Sequence, residues 1–431
     1  MFETLTKAFC TKDIRKKLLY TLMIIIVFRF GSAIPVPFLD PTQLSDAVNQ
    51  AGSFLGFLNL FTGGGLEHAT LFAMSIVPYI NASIIIQLLT VAIPSLERLQ
   101  KEGERGRKKL TQITRCLTVA LAIVQALGYY FLLRSYSAVE YTSGFDGIFA
   151  AVVIIVTFTA GTALIVWLGE RISDKGIGNG ISILLFAGII SRAPQAISSM
   201  INMFNLGVSG QWQYFIYLPL IVVIFIAMIV LIVLINEAER RIPVQYSKRV
   251  VGRRMYAGQS SHIPVKISMS GVMPIIFASA ILSIPSMIAG FIDLQPDTFW
   301  YGFFSVFNYD SWGYACIYFV LIIAFNFFYV AIQYNPIEIA NNLRKNNGVI
   351  PGIRPGKPTS EFIGRVIWKI AMVGALFLGL IAVFPIIFTM LTSTNIALGG
   401  TSILIIVGVA LETVRVIESQ LTMQKHKGFL E

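Results

Sequence analysis

Apolar runs recur along the whole chain, at residues 18–34, 70–93, 112–133, 147–168, 181–203, 214–235, 270–291, 313–334, 366–388 and 401–421. A helix rises 1.5 Å per residue and needs roughly 20 apolar residues to cross the hydrocarbon core of a bilayer. No water reaches backbone polar groups in that core, so each run must satisfy its own hydrogen bonds, and the helix is the form that does so. The runs therefore predict an all-α polytopic membrane protein with ten transmembrane helices. Arg192 and Pro194 interrupt the fifth run.

Composition agrees: 55% of the residues are hydrophobic and only 13% are charged, outside the range of soluble globular domains. Cys10, Cys116 and Cys316 lie far apart, as do His68, His262 and His426, so neither a disulfide nor a metal site is expected. No HExxH or GxSxG motif occurs. The glycines of Gly176-Ile177-Gly178-Asn179-Gly180 precede an apolar run and read as a helix start, while GIRPGKP at 352–358 lacks the spacing of a phosphate-binding loop. The chain is expected to be no enzyme and to bind no cofactor, so any work it does is powered from outside.

Lysine and arginine are retained on the cytoplasmic side during insertion. With the N-terminus inside and ten spans, all but three of the 33 lysines and arginines fall on the inner side; the exceptions are Arg29, Arg134 and Arg192. A proline-rich stretch with Pro35, Pro37 and Pro41 follows the first run, which reads as an uncleaved span rather than a signal peptide. Two inner connections are long. Residues 236–268 alternate apolar and basic residues and read as a strand or hairpin; residues 335–361 are rich in asparagine, glycine and proline. Loops of this length and charge suit docking of a large partner with an acidic or phosphate-bearing surface; the alternative is topology signalling alone.

Residues 52–93 hold an unusual passage. Phe54 to Phe61 is apolar but far too short to span, Gly63, Gly64 and Gly65 follow, and the second span begins at Thr70. Glycine loses the most backbone entropy on ordering and breaks the helix there. Irregular backbone at membrane depth is tolerated only where protein or water covers it. The short piece either sits in a cavity or lies as a loop on the outer face.

The middles of the spans are almost free of charge, which disfavours an ion-coupled transporter with a midplane site. Glu412, Arg415 and Glu418 recur every third residue near the inner end of the last span, where opposite charges can pair along one helix face. Arg29 can reach outward along its own stem. Isoleucines stand beside helix-disturbing residues: Ile76 and Ile80 around Pro78, Ile181 after Gly180, and Ile276 after Pro274. If they converge, they form a narrow apolar ring that blocks water and ions by dewetting; otherwise they simply pack. Five spans before about residue 206 and five after it suit a two-half design.

Six separated blocks carry a resemblance: FRFGSAIPVP, LFTGGGLEHATLFAMSIVPYINASIIIQLLTVAIP, KEGERGRKKLTQITR, WLGERISDKGIGNGISILLFAGII, RRIPVQYSKRVVGRRMYAGQSSHIPVKISMSGVMPIIFAS and NPIEIANNLRKNNGVIPGIRPGKPT. They resemble the bacterial SecY family, channel subunits of the general protein-secretion translocase, and they cover nearly the whole chain. The resemblance implies two pseudo-symmetric five-helix halves, residues 1–205 and 206–431, around an hourglass pore. It implies a plug at about 53–68, carried by Phe54, Leu55, Phe57, Leu58, Leu60, Phe61, Gly63, Gly64 and Gly65. Ile76, Ile80, Ile181, Leu185, Ile276 and Ile405 match the family's constriction ring, with Leu185 departing from isoleucine but keeping its bulk.

The second and seventh spans would form a lateral gate for signal sequences and membrane helices, with Asn81 and Gln87 as its polar residues; a hydrogen bond between packed helices is the other reading of Gln87. Of the basic residues Arg240, Arg241, Arg253, Arg254, Arg354 and Lys357, the resemblance marks Arg253, Arg254 and Arg354 as positions that engage the SecA ATPase or the ribosome. Arginine suits both because its planar fork pairs two oxygens of a carboxylate or phosphate. The further partners implied are the small subunits SecE and SecG, secretory or nascent polypeptides, and lipid. The implied location is the bacterial cytoplasmic membrane, with both termini in the cytosol.

Overall fold

The computed structural model describes residues 2–40, 59, 63–210, 212–246, 249–251, 254–256, 260–291, 299–308, 311–392 and 400–427. The helices are α1 (Phe2–Cys10), α2 (Lys12–Gly31), α3 (Val77–Ala92), α4 (Pro94–Lys101), α5 (Glu104–Ser135), α6 (Gly144–Lys175), α7 (Gly180–Ile190), α8 (Ala193–Val208), α9 (Gln213–Glu237), α10 (Met273–Phe291), α11 (Phe299–Ser305), α12 (Trp312–Gln333), α13 (Pro336–Lys345), α14 (Lys357–Thr392) and α15 (Gly400–Lys427). Ten helical passages result: α2, α3, α5, α6, α7 with α8, α9, α10, α12, α14 and α15. Six of them, α5, α6, α7 with α8, α9, α12 and α14, are long and apolar enough to cross a bilayer on their own. The others carry charges at their inner ends, as α2 and α15 do, or are shorter, as α3 and α10 are.

The chain's punctuation is local chemistry. Asn179 caps α7, its Oδ1 accepting from the Ile181 and Ser182 N–H groups at 3.2 and 3.5 Å, which satisfies donors that a helix start leaves free. The glycine-rich Gly176–Gly180 stretch is therefore a helix start, as its sequence reads. The interrupted fifth span is two helices, with the break at Ser191 and Arg192. At the inner surface α4 runs at 102° to α3, turned at Ile93 ahead of Pro94.

Two expectations change. The second span is helical only from Val77, not from Thr70, and residues 63–75 are a chain of turns. Gly63, Gly64, Ala69 and Ser75 take positive φ, and a left-handed backbone cannot continue a right-handed helix. This irregular stretch is covered by protein: Leu66, Ala69, Phe72, Ala73, Met74 and Ile76 are buried. Its backbone groups find partners elsewhere, Leu71 N–H donating to Ile34 O and Val36 N–H to Ala69 O, both at 2.9 Å. The 335–361 connection likewise contains a helix, α13. Asn335 caps it, its Oδ1 accepting from Ile337 N–H at 3.1 Å, and Pro336 stands in its first turn, where a missing N–H costs nothing.

The 236–268 connection forms the expected hairpin. Strand β1 (Glu239–Tyr246) pairs antiparallel with β4 (Ser260–Lys266), Arg240 opposite Val265 and Ile242 opposite Ile263. Its tip holds β2 (Arg249–Val251) against β3 (Arg254–Tyr256), and β5 (Gly348–Val349) adds to the other edge of β1. Alternation places Ile242 and Val244 inward, onto a buried cluster with Val265, Leu343, Ile363 and Ile367, so the hairpin is rooted on α13 and α14.

The membrane core divides. One cluster draws only on residues 36–158 and another only on residues 228–411. A third joins the two sets, combining Ile24, Phe72, Ile76, Ile165 and Leu185 with Ile405 and Val409. Between the sets, α10 packs on α3 and α5, and α15 packs on α7 and α2. The irregular stretch is held closely: a Cβ on Gly161 of α6 would stand 2.1 Å from the Leu71 carbonyl oxygen. Gly161→Ala is thus expected to destabilise the protein by about 1–3 kcal/mol, as overpacked sites do, read as a lower unfolding midpoint of the purified protein in detergent.

Candidate functional site

The six ring candidates come together. Ile76, Leu185 and Ile405 are buried in the joining cluster, and Ile80, Ile181 and Ile276 pack against it half-buried. They arrive from four directions: Ile76 at the N-cap of α3 with Ile80 one turn later, Ile181 and Leu185 one turn apart on α7, Ile276 in the first turn of α10, and Ile405 on α15. Tyr79 and Val272 pack on the same cluster; the sequence reading missed both, although Val272 stands two residues before Pro274 in the same run.

A cavity opens on each side. The inner one, about 710 Å³, reaches from Leu185, Ile276 and Ile405 to a polar rim with Lys266, Glu412 and Arg415. The outer one, about 670 Å³, is lined by Arg29, Gly63, Gly64, Glu67, His68 and Arg192. Leu185, Ile276 and Ile405 belong to the apolar cluster and line the inner cavity; apolar side chains that narrow a pore exclude water and ions by dewetting. Arg29, expected to reach outward, does line the outer cavity, where its Nη1 is buried without a hydrogen-bond partner among the described residues.

Of the predicted plug, Phe54, Leu55, Phe57, Leu58, Leu60 and Phe61 lie outside the described residues, so the choice between cavity and surface loop stays with the glycines. Gly63 and Gly64 line the outer cavity with φ of 65° and 89°. A Cβ on Gly63 would meet the Gly188 carbonyl oxygen at 2.6 Å, so the turn lies directly on the broken fifth span. Asn59 is buried, its Nδ2 donating to Glu67 Oε2 at 3.1 Å while its Oδ1 accepts from the Glu67 N–H at 3.2 Å. Gly65 accepts through its carbonyl from both the N–H and the hydroxyl of Thr70.

Asn81 and Gln87 are both half-buried on α3, which packs on α10. Six residues apart on a helix of 3.6 residues per turn, they stand about 120° from each other, so a shared polar cluster needs groups from the facing helix. Of the basic candidates, Arg240, Arg241, Arg354 and Lys357 are exposed. Arg241 Nε donates to Glu239 Oε1 at 2.8 Å, which leaves Arg240 the freer charge of the pair. Arg254 opens β3 opposite Val251, and Arg253 lies outside the described residues. The Thr359 hydroxyl donates to the Arg354 carbonyl at 2.8 Å and fixes the backbone that presents this arginine. In the last span, Arg415 Nη2 donates to the Asn236 carbonyl at the end of α9, at 2.9 Å.

Apolar helical passages, an apolar cluster that both sets of helices supply and a cavity that opens from it fit the subunit of a membrane channel. The SecY family model matches residues 70–414. Protein translocase subunit SecY of Streptomyces scabiei is 45% identical over 443 residues, covering 100% of both chains. A solved structure described as "The structure of a protein conducting channel" superposes with a TM-score of 0.65 at 17% identity, over 94% of this chain and 92% of the other. "Sec61 in the Canine ribosome-channel complex from the endoplasmic reticulum" superposes with a TM-score of 0.62 at 17% identity and the same coverage. The chain belongs to the SecY family: it is a multi-pass membrane protein and a protein-conducting channel subunit of the translocase, not an enzyme.

If the ring is the seal, Ile276→Ala and Ile405→Ala are expected to raise passive ion leak through resting proteoliposomes several-fold. Ile197→Ala, at a side chain 58% exposed on α8, is expected to leave the leak unchanged.

Proposed function

We propose that unfolded secretory polypeptides pass through the ring of Ile76, Ile80, Ile181, Leu185, Ile276 and Ile405, and that hydrophobic segments leave sideways between α3 and α10. The observation that carries this reading is the convergence of all six residues in one apolar cluster, from which Leu185, Ile276 and Ile405 line the inner cavity. The α3–α10 contact supports the exit route, since it lies between the N-terminal and C-terminal sets of helices. The division into halves falls at residues 205 and 206. The glycine turn at the outer cavity supports a plug over about 53–68 that fills that cavity at rest.

The exposed Arg240, Arg241, Arg354 and Lys357, with Arg254 at the start of β3 and with Arg253, dock the SecA ATPase or the ribosome, which supply the energy. The similarity to a channel solved in a ribosome complex favours this reading. SecE and SecG complete the complex against the lipid-facing helices. The positive charge of the inner loops supports cytosolic termini, and the similarity to a Streptomyces translocase subunit supports a location in the bacterial cytoplasmic membrane.

The test uses a variant with Cys10, Cys116 and Cys316 replaced by serine and one cysteine at Ile76 or Ile276, holding a stalled secretory chain that itself carries one cysteine. A disulfide between ring and chain is the expected result. Links only at lipid-facing positions, with translocation active, would remove the central path. Arg354→Glu is expected to reduce SecA-driven transport by about tenfold or more, as truncating a charge-paired contact of about 1.4 kcal/mol would, with normal amounts of folded protein in the membrane. Unchanged transport would remove Arg354 from the docking surface.

A further inference from the structure

The charged turn of the last span has so far found no role. Ile405, Gly408, Glu412 and Arg415 follow one another at intervals of three and four residues, which puts them on one face of α15. All four line the inner cavity. At one end of this face is the ring, where Ile405 is 1% exposed. Gly408 comes next, where a Cβ would stand 3.0 Å from Val272, so α15 lies close against the lead into α10. At the other end Arg415 donates to the Asn236 carbonyl.

Asn236 is the second-last residue of α9, and its carbonyl has no partner within that helix, because the residue four positions on lies in β1. A cation there also meets the negative end of the helix dipole. Just beyond, the Ile267 N–H donates to the Ala238 carbonyl at 3.0 Å, so the end of α9 and the end of β4 are zipped together at the root of the basic hairpin. Lys266 stands at that root beside Arg415, Glu239 and Glu412. Burial, then Arg415, hold its ammonium below the usual lysine range, against the pull of Glu239 and Glu412. The root is a compact set of charges with α15 fastened into it.

We propose that Arg415 is a positioning residue that couples the cytosolic hairpin to the ring. A partner with an acidic or phosphate-bearing surface, seated on the hairpin, moves its root. Arg415 carries that movement to α15, and α15, a rigid helix over the ten residues back to Ile405, withdraws the Ile405 side chain from the seal. The coupling rests on the docking reading given above, and its test separates the two.

The experiment uses the full translocase complex in proteoliposomes, in a background lacking Cys10, Cys116 and Cys316, with Ile405→Cys as the only thiol. Ribosomes are the probe. Their binding is measured by flotation, and the labelling rate of the thiol by a membrane-impermeant maleimide added on the hairpin side. With Arg415 present, docking is expected to raise the labelling rate several-fold. Arg415→Gln is expected to bind ribosomes within twofold of the parent yet show no rise on docking, and Arg415→Lys, which keeps a donor and the charge, is expected to restore part of it. An undiminished rise with Arg415→Gln overturns the coupling. Loss of binding with Arg415→Gln also overturns it, because Arg415 then serves the fold of the hairpin. Failure of ribosomes to bind the Arg415 parent overturns the ribosome-docking reading, and the coupling with it.

Discussion

The structure depends on an apolar contact that nothing directional holds together. The ring side chains meet by hydrophobic and dispersion contact, and the cluster they form carries no charged side chain. Each side chain contributes at most about 1.5–3 kcal/mol when fully buried, and three of the six are only half-buried. A seal of hydrogen-bonded groups would leave buried donors and acceptors unpaired whenever it parted, at about 1–3 kcal/mol each. An apolar seal leaves none. The helices on either side keep clusters of their own, so the seam is where the molecule can part with least disruption.

One of the elements that supply this cluster enters it through backbone that is not helical. The turns of residues 63–75 bring Ile76 to the head of α3 rather than to its middle, and protein covers them on all sides that the neighbouring helices reach. Gly161 of α6 admits the Leu71 carbonyl, Gly63 sits against the Gly188 carbonyl, and Phe72 stacks on Phe28 with ring centroids 5.6 Å apart. The fifth span contributes its own break at Ser191 and Arg192 directly opposite the glycine turn. Two interruptions that look like separate flaws in the sequence are thus the two sides of one contact, Ser191 Oγ donating to the Gly63 carbonyl at 3.4 Å.

Much of this was legible in the residues. Apolar length marked the ten passages, and the alternation in 239–246 gave the hairpin strand. Pro78, Gly180 and Pro274 flagged four of the ring positions, while Leu185 and Ile405 came from family resemblance, because a hydrophobic residue inside a hydrophobic helix carries no local signal of what it faces. The start of α3 was misplaced for the same reason: Thr70 to Ile76 is as apolar as a helix, and its left-handed turns at Ala69 and Ser75 are set by tertiary contacts. Helix α13 was hidden by the asparagines and glycines around it, although Asn335-Pro336 is a sound helix start. The partner of Arg415 could not be read at all, since it is a backbone carbonyl 179 residues away.

The thinness of the seal has a mechanical meaning. Ile76 and Ile80 are one helical turn apart, as are Ile181 and Leu185, so on the path proposed above the barrier is one helical turn, about 5.4 Å, deep. An extended polypeptide advances about 3.3 Å per residue, so the collar grips no more than about two residues of a moving chain at once. The resistance it offers is therefore set by the bulk of those two side chains, whatever precedes or follows them. A channel built this way meets each stretch of a long, chemically mixed chain as a succession of small, nearly equal steps.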